Sequence, residues 1–235
     1  MNTEPRYVVV GAGHGGKAMA AHLALMGFYV TLYNRTPENV AVIKARGEIE
    51  LTSHEGGPHG FGRLALVTSD MAEALDGADV VMVVVPSTAH VCIAKAVAPV
   101  LQDGQIVVLN PGRTGGAIEF ANVLGQQGCQ ADAIVAETET LIYASRSDGP
   151  AEARIFSIKN SVPMAALPAA RTAEALERLH TAYPQFIDGT SVLHTGLNNM
   201  GAIFHPALTL LNAGRIESTG GDFQFYIDGV TPAVA

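Results

Sequence analysis

The sequence predicts an α/β protein in which a doubly wound parallel sheet is followed by the start of an all-helical second domain. Short apolar runs alternate with segments of helical spacing through the first half of the chain, which favours parallel strands with helices on both faces. A glycine-rich turn, GAGHGG, follows the first apolar run, and an apolar helix lies near the C-terminus. We place the boundary after residue 192, which gives a sheet domain over 1–192 and a helical domain over 193–235.

Each predicted strand is a short run of apolar residues, and each predicted helix repeats apolar residues at helical spacing. The predicted strands are Tyr7–Gly11, Phe28–Tyr33, Leu64–Val67, Val80–Val85, Gln105–Leu109 and Ala133–Glu137. The predicted helices are Lys17–Met26, Pro37–Arg46, Asp70–Leu75, Thr88–Leu101, Gly115–Gly125, Ala170–Ala182 and Gly196–Asn212. Residues 140–167 contain strand-like pieces with no long helix between them, which predicts a more antiparallel edge of the same domain.

Composition excludes several kinds of partner. The net charge is -8 and no basic run exists, which argues against nucleic-acid binding. The longest apolar run, residues 78–86, is far shorter than a membrane span, and the polar N-terminus lacks the apolar core of a signal peptide. Cys92 and Cys129 are too few and too scattered for a disulfide framework or a zinc site, so we expect no metal and a cytoplasmic location.

The strongest local motif is G-x-G-x-x-G, formed by Gly11, Gly13 and Gly16 between a predicted strand and a predicted helix. In sheets of the Rossmann type the first glycine allows the tight turn, the second lets the backbone approach a pyrophosphate, and the third lets helix and strand pack closely. The helix N-terminus, with His14 and Gly15, would face the phosphates. The sequence therefore predicts a dinucleotide site, and the alternative is a turn of small residues with no ligand.

The end of the second strand bears on the choice of cofactor. NAD-preferring sites usually carry Asp or Glu there for the ribose 2′-OH, whereas this chain has Asn34, Arg35 and Thr36, with no acid before Glu38. Arg35 would pair with a 2′-phosphate, helped by its two neighbours. We therefore expect NADP to be preferred, with NAD as the alternative cofactor. The competing interpretation of Arg35 is a solvated charge at the start of a helix.

Three later strand ends complete the predicted site, because ligands of open α/β sheets bind outside the carboxyl ends of strands. The residues assigned to the cofactor here are Pro86, Ser87, Asn110, Gly112 and Glu137. Arg113, in the same loop as Asn110, is assigned to the substrate. The alternative for each is an ordinary turn, since Asn-Pro-Gly is good turn chemistry by itself.

The helix predicted over 196–212 is unusual because His205 and Pro206 lie inside an otherwise apolar segment. Proline has no N–H and crowds the carbonyl one turn earlier, so it strains or kinks a helix. Asn198, His205 and Asn212 are spaced seven apart and fall within about 20° of each other on a helix, which predicts one polar stripe. His205 is a candidate acid–base residue, and the alternative is a core histidine whose hydrogen bonds are satisfied.

Parts of the sequence resemble the opine dehydrogenase family, also called the octopine/nopaline dehydrogenase family: NPGRTGGAIEF, SVLHTGLNNMGAIFHPALTLLNAGRIES and DFQFYIDGVTPAV. The resemblance covers essentially the whole chain and implies a Rossmann domain followed by a helical domain. It implies reductive joining of an amino acid to a 2-oxo acid such as pyruvate, with NADH or NADPH. It also implies that His205 is the catalytic histidine and that Asn198 and Asn199 lie on the substrate side.

The C-terminus departs from the family pattern. The family's helical domain continues past the T-P stretch by about 100 residues, a domain-scale length, whereas this chain stops at Ala235. In the family a carboxylate of that further region partners the histidine, and the spacing of Asp222 and Asp228 does not support either in that role. We therefore expect a truncated form or a fragment, with a hydrophobic helix face left uncovered unless another chain packs there. A homodimer is the expected assembly.

If the site is complete, the amine attacks the keto carbon, water leaves to give an imine, and His205 shuttles the proton. Arginines are expected to clamp the two carboxylates, and the unranked candidates are Arg113, Arg146 and Arg215. Two other interpretations stay open. One is a different dehydrogenase with a helical domain, acting on a 2-oxo acid or a sugar phosphate, for which Lys159 alone is thin evidence. The other is a nucleotide-binding protein without catalysis.

Overall fold

The computed structural model describes residues 4–54, 56–198, 200–232 and 234. The chain divides into two compact units, residues 1–197 and 198–235. The strands are β1 (Tyr7–Val10), β2 (Val30–Tyr33), β3 (Glu48–Ser53), β4 (Gly60–Arg63), β5 (Leu66–Thr68), β6 (Val80–Val83), β7 (Ile106–Leu109), β8 (Ile134–Thr138), β9 (Tyr143–Gly149), β10 (Glu152–Ile158), β11 (Val162–Leu167) and β12 (Phe186–Asp188). The helices are α1 (His14–Leu25), α2 (Ala41–Arg46), α3 (Met71–Leu75), α4 (His90–Val97), α5 (Gly116–Gln126), α6 (Thr172–Leu179), α7 (Val192–Leu197), α8 (Met200–Leu211), α9 (Ala213–Thr219) and α10 (Phe225–Asp228).

The main sheet of the first unit has the strand order β12-β11-β8-β7-β6-β1-β2-β5. Its strands pair in parallel except where β11 runs antiparallel to β8. Tyr7 and Val9 of β1 pack into the core on one face, and Val8 and Val10 pack into the core on the other. Both faces are covered, which is why the central strands are apolar at every position. The predicted doubly wound sheet is confirmed.

A second sheet, in the order β4-β3-β10-β9, packs against α1. Residues 140–167, predicted as a more antiparallel edge of the same domain, lie in the first unit, where β11 is antiparallel to β8 and β9 is antiparallel to β10. The separate sheet was not predicted: β10 pairs with the hairpin β3–β4, and β3 lies parallel to β10 with Glu50 opposite Glu152. Gly62 of β4 lets the strand approach the helix backbone, since an added Cβ would lie 2.5 Å from Ala21 O.

The first unit extends through α7, beyond the boundary predicted after residue 192. The Thr195 hydroxyl donates to Glu137 Oε1 at 2.8 Å, and the Thr114 hydroxyl reaches Gly196 O at 3.4 Å. These contacts attach α7 to the sheet domain. The single helix predicted over 196–212 is therefore divided, since α7 ends at Leu197 and α8 begins at Met200.

The second unit contains α8, α9 and α10. Pro206 lies inside α8, which continues on both sides of it. Among the described side chains of α8 and its end, Leu208 and Asn212 are buried. The Asn212 amide donates to Leu208 O and to Gly229 O, each at 2.9 Å. This amide fixes the segment after α10 against α8. In the part of the chain that the structure describes, no helix is long and apolar enough to cross a membrane.

Candidate functional site

The carboxyl ends of five parallel strands meet at one edge of the main sheet. Val10 lies opposite Tyr33 of β2 and Val83 of β6, and Leu109 of β7 lies opposite Glu137 of β8. The predicted cofactor residues follow or end these strands, so the fold brings their backbones to one edge. The chain passes from β1 to β2 on one side of β1 and later returns to β6 on the other side of β1. Such a reversal in strand order opens a crevice for a ligand.

The glycines of the β1–α1 turn serve different purposes. Gly11 has a positive φ of 114°, and a Cβ there would collide with Val84 O. A Cβ at Gly16 would collide with Gly11 O, so this glycine lets α1 lie directly against the turn. At Gly15 a Cβ would lie 2.7 Å from a methyl group of Leu141. Backbone atoms therefore exclude a side chain at Gly11 and Gly16, whereas at Gly15 the Leu141 side chain would have to shift.

Gly13 has no such explanation within the fold. Its backbone, with φ -76° and ψ -169°, suits any residue, and an added Cβ would have nothing within 4 Å. The first helical hydrogen bond runs from Lys17 N–H to Gly13 O at 3.0 Å, so the preceding N–H groups of the helix N-terminus lie outside the helical ladder. An exposed glycine beside these N–H groups is what the approach of a pyrophosphate requires. The turn therefore fits a dinucleotide.

The second sheet holds the N-terminus of α1 in place. The Ser147 N–H donates to His14 Nδ1 at 2.9 Å, and the buried Lys17 ammonium donates to Ser147 Oγ and Gly149 O, each at 2.9 Å. Burial lowers the pKa of Lys17, with the nearby Glu152 acting in the opposite direction. The sequence offered no local signal for these contacts because β9 lies far along the chain.

The turn after β2 presents a guanidinium group and no carboxylate. Asn34 Oδ1 accepts the Thr36 N–H at 2.9 Å, which closes the turn, and Arg35 is exposed. The Arg35 guanidinium donates to Cys92 Sγ at 3.3 Å. Cys92, considered in the sequence only as a disulfide or zinc candidate, lies at the start of α4, which brings it beside the end of β2. This turn can accept a phosphate on its exposed side.

Pro86 and Ser87 are exposed at the end of the β6 loop, where Ser87 starts a short 3-10 turn leading into α4. His90 follows and is fully buried, and neither ring nitrogen has a hydrogen-bond partner among the described residues. Burial lowers the pKa of His90. A Cβ on Gly116 would lie 3.2 Å from His90 Nδ1, so the histidine packs against the start of α5.

The loop after β7 begins with a buried amide and ends with an exposed arginine. Asn110 is 2% exposed, and its Nδ2 donates to Val108 O at 2.8 Å, while its Oδ1 has no partner among the described residues. The Asn110–Pro111 peptide bond is cis. Arg113 is exposed and has a φ of 62°, in the left-handed region. The backbone of Arg113 is therefore strained immediately before α5.

Glu137 is fully buried, and both of its oxygens are engaged. Oε2 accepts the Ala117 N–H at the start of α5 at 2.7 Å, and Oε1 accepts the Thr195 hydroxyl at 2.8 Å. Burial raises the pKa of Glu137, and these two hydrogen bonds act in the opposite direction. A Cβ on Gly112 would collide with the carboxylate. Glu137 therefore joins α5, α7 and the β7 loop, while its direct contact with a cofactor stays a prediction.

The second unit contains His205, which is exposed on α8. Tyr226 Oη lies 3.1 Å from His205 Nδ1, and the two ring centroids are 5.6 Å apart in an edge-to-face arrangement. Asn198 lies between α7 and α8 rather than on the same helix as His205, and Asn199 lies outside the described residues. Sequence analysis did not single out Tyr226, although it lies in the quoted stretch DFQFYIDGVTPAV.

The remaining candidate arginines have different surroundings. Arg215 donates to Asp228 O at 2.8 Å and packs over the Phe223 ring at 4.6 Å, so it already stabilises its own unit. Arg146 is exposed on β9 of the second sheet. Among the described residues, no group of three or more His, Cys, Asp and Glu side chains is arranged to hold a metal ion.

Comparisons with known proteins match both units. Residues 6–124 match the NAD binding domain of 6-phosphogluconate dehydrogenase, and residues 188–235 match the alpha-helical domain of NAD/NADP octopine/nopaline dehydrogenase. An opine dehydrogenase of Arthrobacter sp. (strain 1C) is 40% identical over 228 residues, which are 97% of this chain and 62% of the relative.

Two solved structures have the same fold at low sequence identity. Octopine dehydrogenase with NADH and pyruvate superimposes with a TM-score of 0.77 at 24% identity, covering 98% of this chain and 61% of that one. Yersinopine dehydrogenase with NADP+ bound gives a TM-score of 0.77 at 16% identity, covering 100% of this chain and 61% of that one. The chain thus spans about three fifths of the length of these relatives.

The fold and the glycine turn together define an NAD(P)-binding protein of the Rossmann type. The match over residues 6–124 shows that the chain belongs to the family of NAD-binding domains described for 6-phosphogluconate dehydrogenase. It is similar to opine dehydrogenases over residues 188–235 and, at 40% identity, along 97% of its length.

Proposed function

We propose that the protein is an NAD(P)-dependent opine dehydrogenase that reductively condenses an amino acid with a 2-oxo acid such as pyruvate. The observation that carries the proposal is the 40% identity to an opine dehydrogenase along 97% of this chain, which includes both the glycine turn and the His-Pro helix. Solved neighbours described with NADH and L-arginine, and with NADH and pyruvate, support this substrate class.

The first unit supplies the cofactor site in this proposal. The N–H groups at the start of α1 bind the pyrophosphate, and Gly13 leaves room for it. Arg35, next to Asn34 and Thr36, pairs with the 2′-phosphate of the adenosine ribose. Pro86, Ser87, Asn110 and Gly112 line the nicotinamide side. Glu137 holds the β7 loop and the start of α5. The bound dihydronicotinamide would supply hydride to the substrate.

His205 is the proposed acid–base residue of the reaction. It carries the two protons of the attacking amine, one after the other, to the carbonyl oxygen, which leaves as water, so the imine forms and the histidine ends in its starting protonation state. Asn198, Asn199 and Arg113 are proposed to bind the substrates, with Arg113 pairing with a carboxylate. The exposure of His205 and Arg113 leaves both side chains open to a ligand.

A preference for NADP over NAD belongs to the same proposal. The turn after β2 carries an exposed guanidinium and lacks the carboxylate that would repel a 2′-phosphate. The proposal also includes a homodimer, which the low fraction of charged residues supports. It further includes a cytoplasmic location, which the two free cysteines support. Analytical ultracentrifugation and the location of a tagged protein in cells test these two points.

The first experiment titrates the purified chain with NADPH and with NADH, following the fluorescence of the reduced nicotinamide. Pyruvate and a panel of amino acids are then added while absorbance of the reduced cofactor is monitored. Tighter binding of NADPH, with oxidation only when both substrates are present, supports the whole proposal. Binding without turnover by any amino acid refutes the activity, and a longer chain ending where the relatives end is the matched comparison. Absence of binding refutes the cofactor site.

A further inference from the structure

We propose that Tyr226 is a positioning residue for His205, holding the imidazole through Nδ1 so that Nε2 exchanges the proton with the substrate. This inference rests on the proposed function, in which His205 is the acid–base residue. Tyr226 Oη lies 3.1 Å from His205 Nδ1. A ring nitrogen already bonded within the protein is not available to a substrate, so proton transfer falls to the other nitrogen.

The direction of the hydrogen bond follows from the chemistry. To act first as a base towards the amine and then as an acid towards the oxygen, Nε2 must accept a proton and then release it. Nδ1 therefore keeps its hydrogen throughout and donates it to the Tyr226 oxygen, which has lone pairs to accept it. The neutral ring then carries its lone pair on Nε2, and the charged ring carries N–H groups on both nitrogens. Tyr226 keeps the same contact in both states.

Ring packing reinforces this single hydrogen bond. The rings of Tyr226 and His205 meet edge to face with centroids 5.6 Å apart, and the rings of Tyr226 and Phe204 are parallel within 9° at 6.3 Å. Tyr226 is 58% exposed, so water competes with the hydrogen bond. The two aromatic contacts therefore carry part of the orientation, since they do not depend on excluding water.

The chain around Tyr226 is pinned to the helices that carry His205. The buried Asn212 amide donates to Gly229 O at 2.9 Å, and the Arg215 guanidinium donates to Asp228 O at 2.8 Å. Gly229 packs so closely that an added Cβ would lie 3.0 Å from a methyl group of the fully buried Leu208. Leu208 and Asn212 follow His205 by three and seven residues, so one face of the helix holds the segment that carries Tyr226.

The test is nitrogen NMR of the imidazole rings in the whole chain. The protein is labelled with nitrogen-15 and examined at about pH 8.5, where histidines of ordinary pKa, about 6.5, are neutral. His205→Asn assigns the resonances. We expect Nδ1 of His205 to have the shift of a protonated nitrogen and Nε2 that of a lone pair. In Tyr226→Phe, which removes only the hydroxyl, Nδ1 should move towards the lone-pair shift.

A matched control is Tyr29→Phe, which removes the hydroxyl of an exposed tyrosine in the first unit that packs beneath Arg6. It should leave the His205 resonances unchanged. A lone-pair shift at Nδ1 in the unaltered chain, or the same His205 shifts with and without the Tyr226 hydroxyl, would overturn the inference. The Nδ1 shift is measured in the unaltered chain alone, so this part of the test does not depend on how well Tyr226→Phe folds.

A kinetic measurement then separates this inference from the proposed function. Loss of one neutral hydrogen bond, about 1 kcal/mol, corresponds to about a fivefold fall in kcat. We expect this fall in Tyr226→Phe with little change in KM for either substrate. An unchanged kcat refutes the positioning role even if the NMR contact is present. A chain that binds NADPH without turnover refutes the proposed activity, while the nitrogen shifts still decide whether Tyr226 holds His205.

Discussion

Thr195 and Glu137 are joined by a buried hydrogen bond in which the threonine hydroxyl donates to Oε1 at 2.8 Å. The other carboxylate oxygen accepts the Ala117 N–H, so one side chain connects α7 to the N-terminus of α5. Gly112 lies directly against the same carboxylate. The loop after β7 and the start of α5 are therefore held by a residue on the neighbouring strand rather than by their own sequence.

Removal of the Glu137 carboxylate should destabilise the first unit. In Glu137→Ala, the Ala117 N–H and the Thr195 hydroxyl lose their buried acceptor, which costs about 1–3 kcal/mol for each unsatisfied group. Glu137→Gln keeps an oxygen for Ala117 and an amide for Thr195, so it should lose less than half as much. Urea unfolding measures both, and equal losses in the two variants would contradict the role assigned to these hydrogen bonds.

The stability of the protein should also depend on pH through Glu137. Burial raises the pKa of Glu137 in the folded state above its value of about 4.5 in the unfolded state. The folded state therefore holds this proton at a higher pH, and its contribution to stability is lost as pH rises through the folded pKa. Compared with the unaltered chain, Glu137→Gln should become relatively more stable as pH increases above about 4.5. A constant difference between pH 4.5 and 7 would contradict the raised pKa.

Gly13 and Gly16 should respond differently to the same substitution. Gly13→Ala places a methyl group in open space, so the melting temperature should change little while NADPH affinity falls at least about tenfold, because the pyrophosphate must approach this backbone. Gly16→Ala drives a methyl group into Gly11 O and should lower the free energy of unfolding by about 3 kcal/mol or more. Differential scanning calorimetry and fluorescence titration distinguish the two. Unchanged NADPH affinity in Gly13→Ala would remove the main support for the pyrophosphate site.

Arg35 should control the choice between the two cofactors. Arg35→Ala removes a charge-assisted contact with the 2′-phosphate, worth about 1.5–3 kcal/mol, and should weaken NADPH binding by about 10- to 100-fold with little effect on NADH. Arg63→Ala is the control, since Arg63 is an exposed arginine of the same unit whose ion pair with Glu48 is on the second sheet. Fluorescence titration at one ionic strength measures both affinities. An equal loss for NADPH and NADH would show that Arg35 does not recognise the 2′-phosphate.

His90 should make the fold sensitive to acid. Burial lowers the pKa of His90 in the folded state, so the unfolded chain takes up this proton first and stability falls as pH drops below about 6.5. His90→Leu removes two buried nitrogens that have no partner among the described residues, and it should be at least as stable as the unaltered chain at pH 7.5. The difference in free energy of unfolding between His90→Leu and the unaltered chain should be larger at pH 5.5 than at pH 7.5. His194→Leu, at an exposed position, is the control, and equal acid sensitivity in both variants would contradict the assignment.

The main sheet could be predicted from the sequence because its signal is local. The run Val80–Val83 is apolar at every position, as a strand covered on both faces must be. The glycine turn was predictable for the same reason. The second sheet was not, although β3 alternates polar and apolar residues over a short span, because its partner β10 lies far along the chain. Nothing near Glu50 in the sequence indicates that Glu152 lies opposite it.

The candidate site shows the same division between local and distant information. Gly11, Gly13 and Gly16 lie within one turn, and their spacing alone identifies them. The acceptor role of Glu137 was not predictable, since its donors come from α5 and α7. The helix predicted over 196–212 is confirmed over α8, but its predicted start is too early. Apolar spacing continues across residues 198 and 199, whereas the contacts of Thr195 keep α7 in the first unit.

The position of α1 between two sheets has a thermodynamic consequence for its ligand. The main sheet covers one side of the helix, and the second sheet approaches so closely that Gly62 lies against Ala21. The N-terminus of α1 is therefore ordered before any dinucleotide binds. Binding then loses little conformational entropy in forming the phosphate site. A larger share of the contact energy then remains as affinity, and backbone amides along α1 should be among the slowest in the chain to exchange with deuterium, with or without ligand.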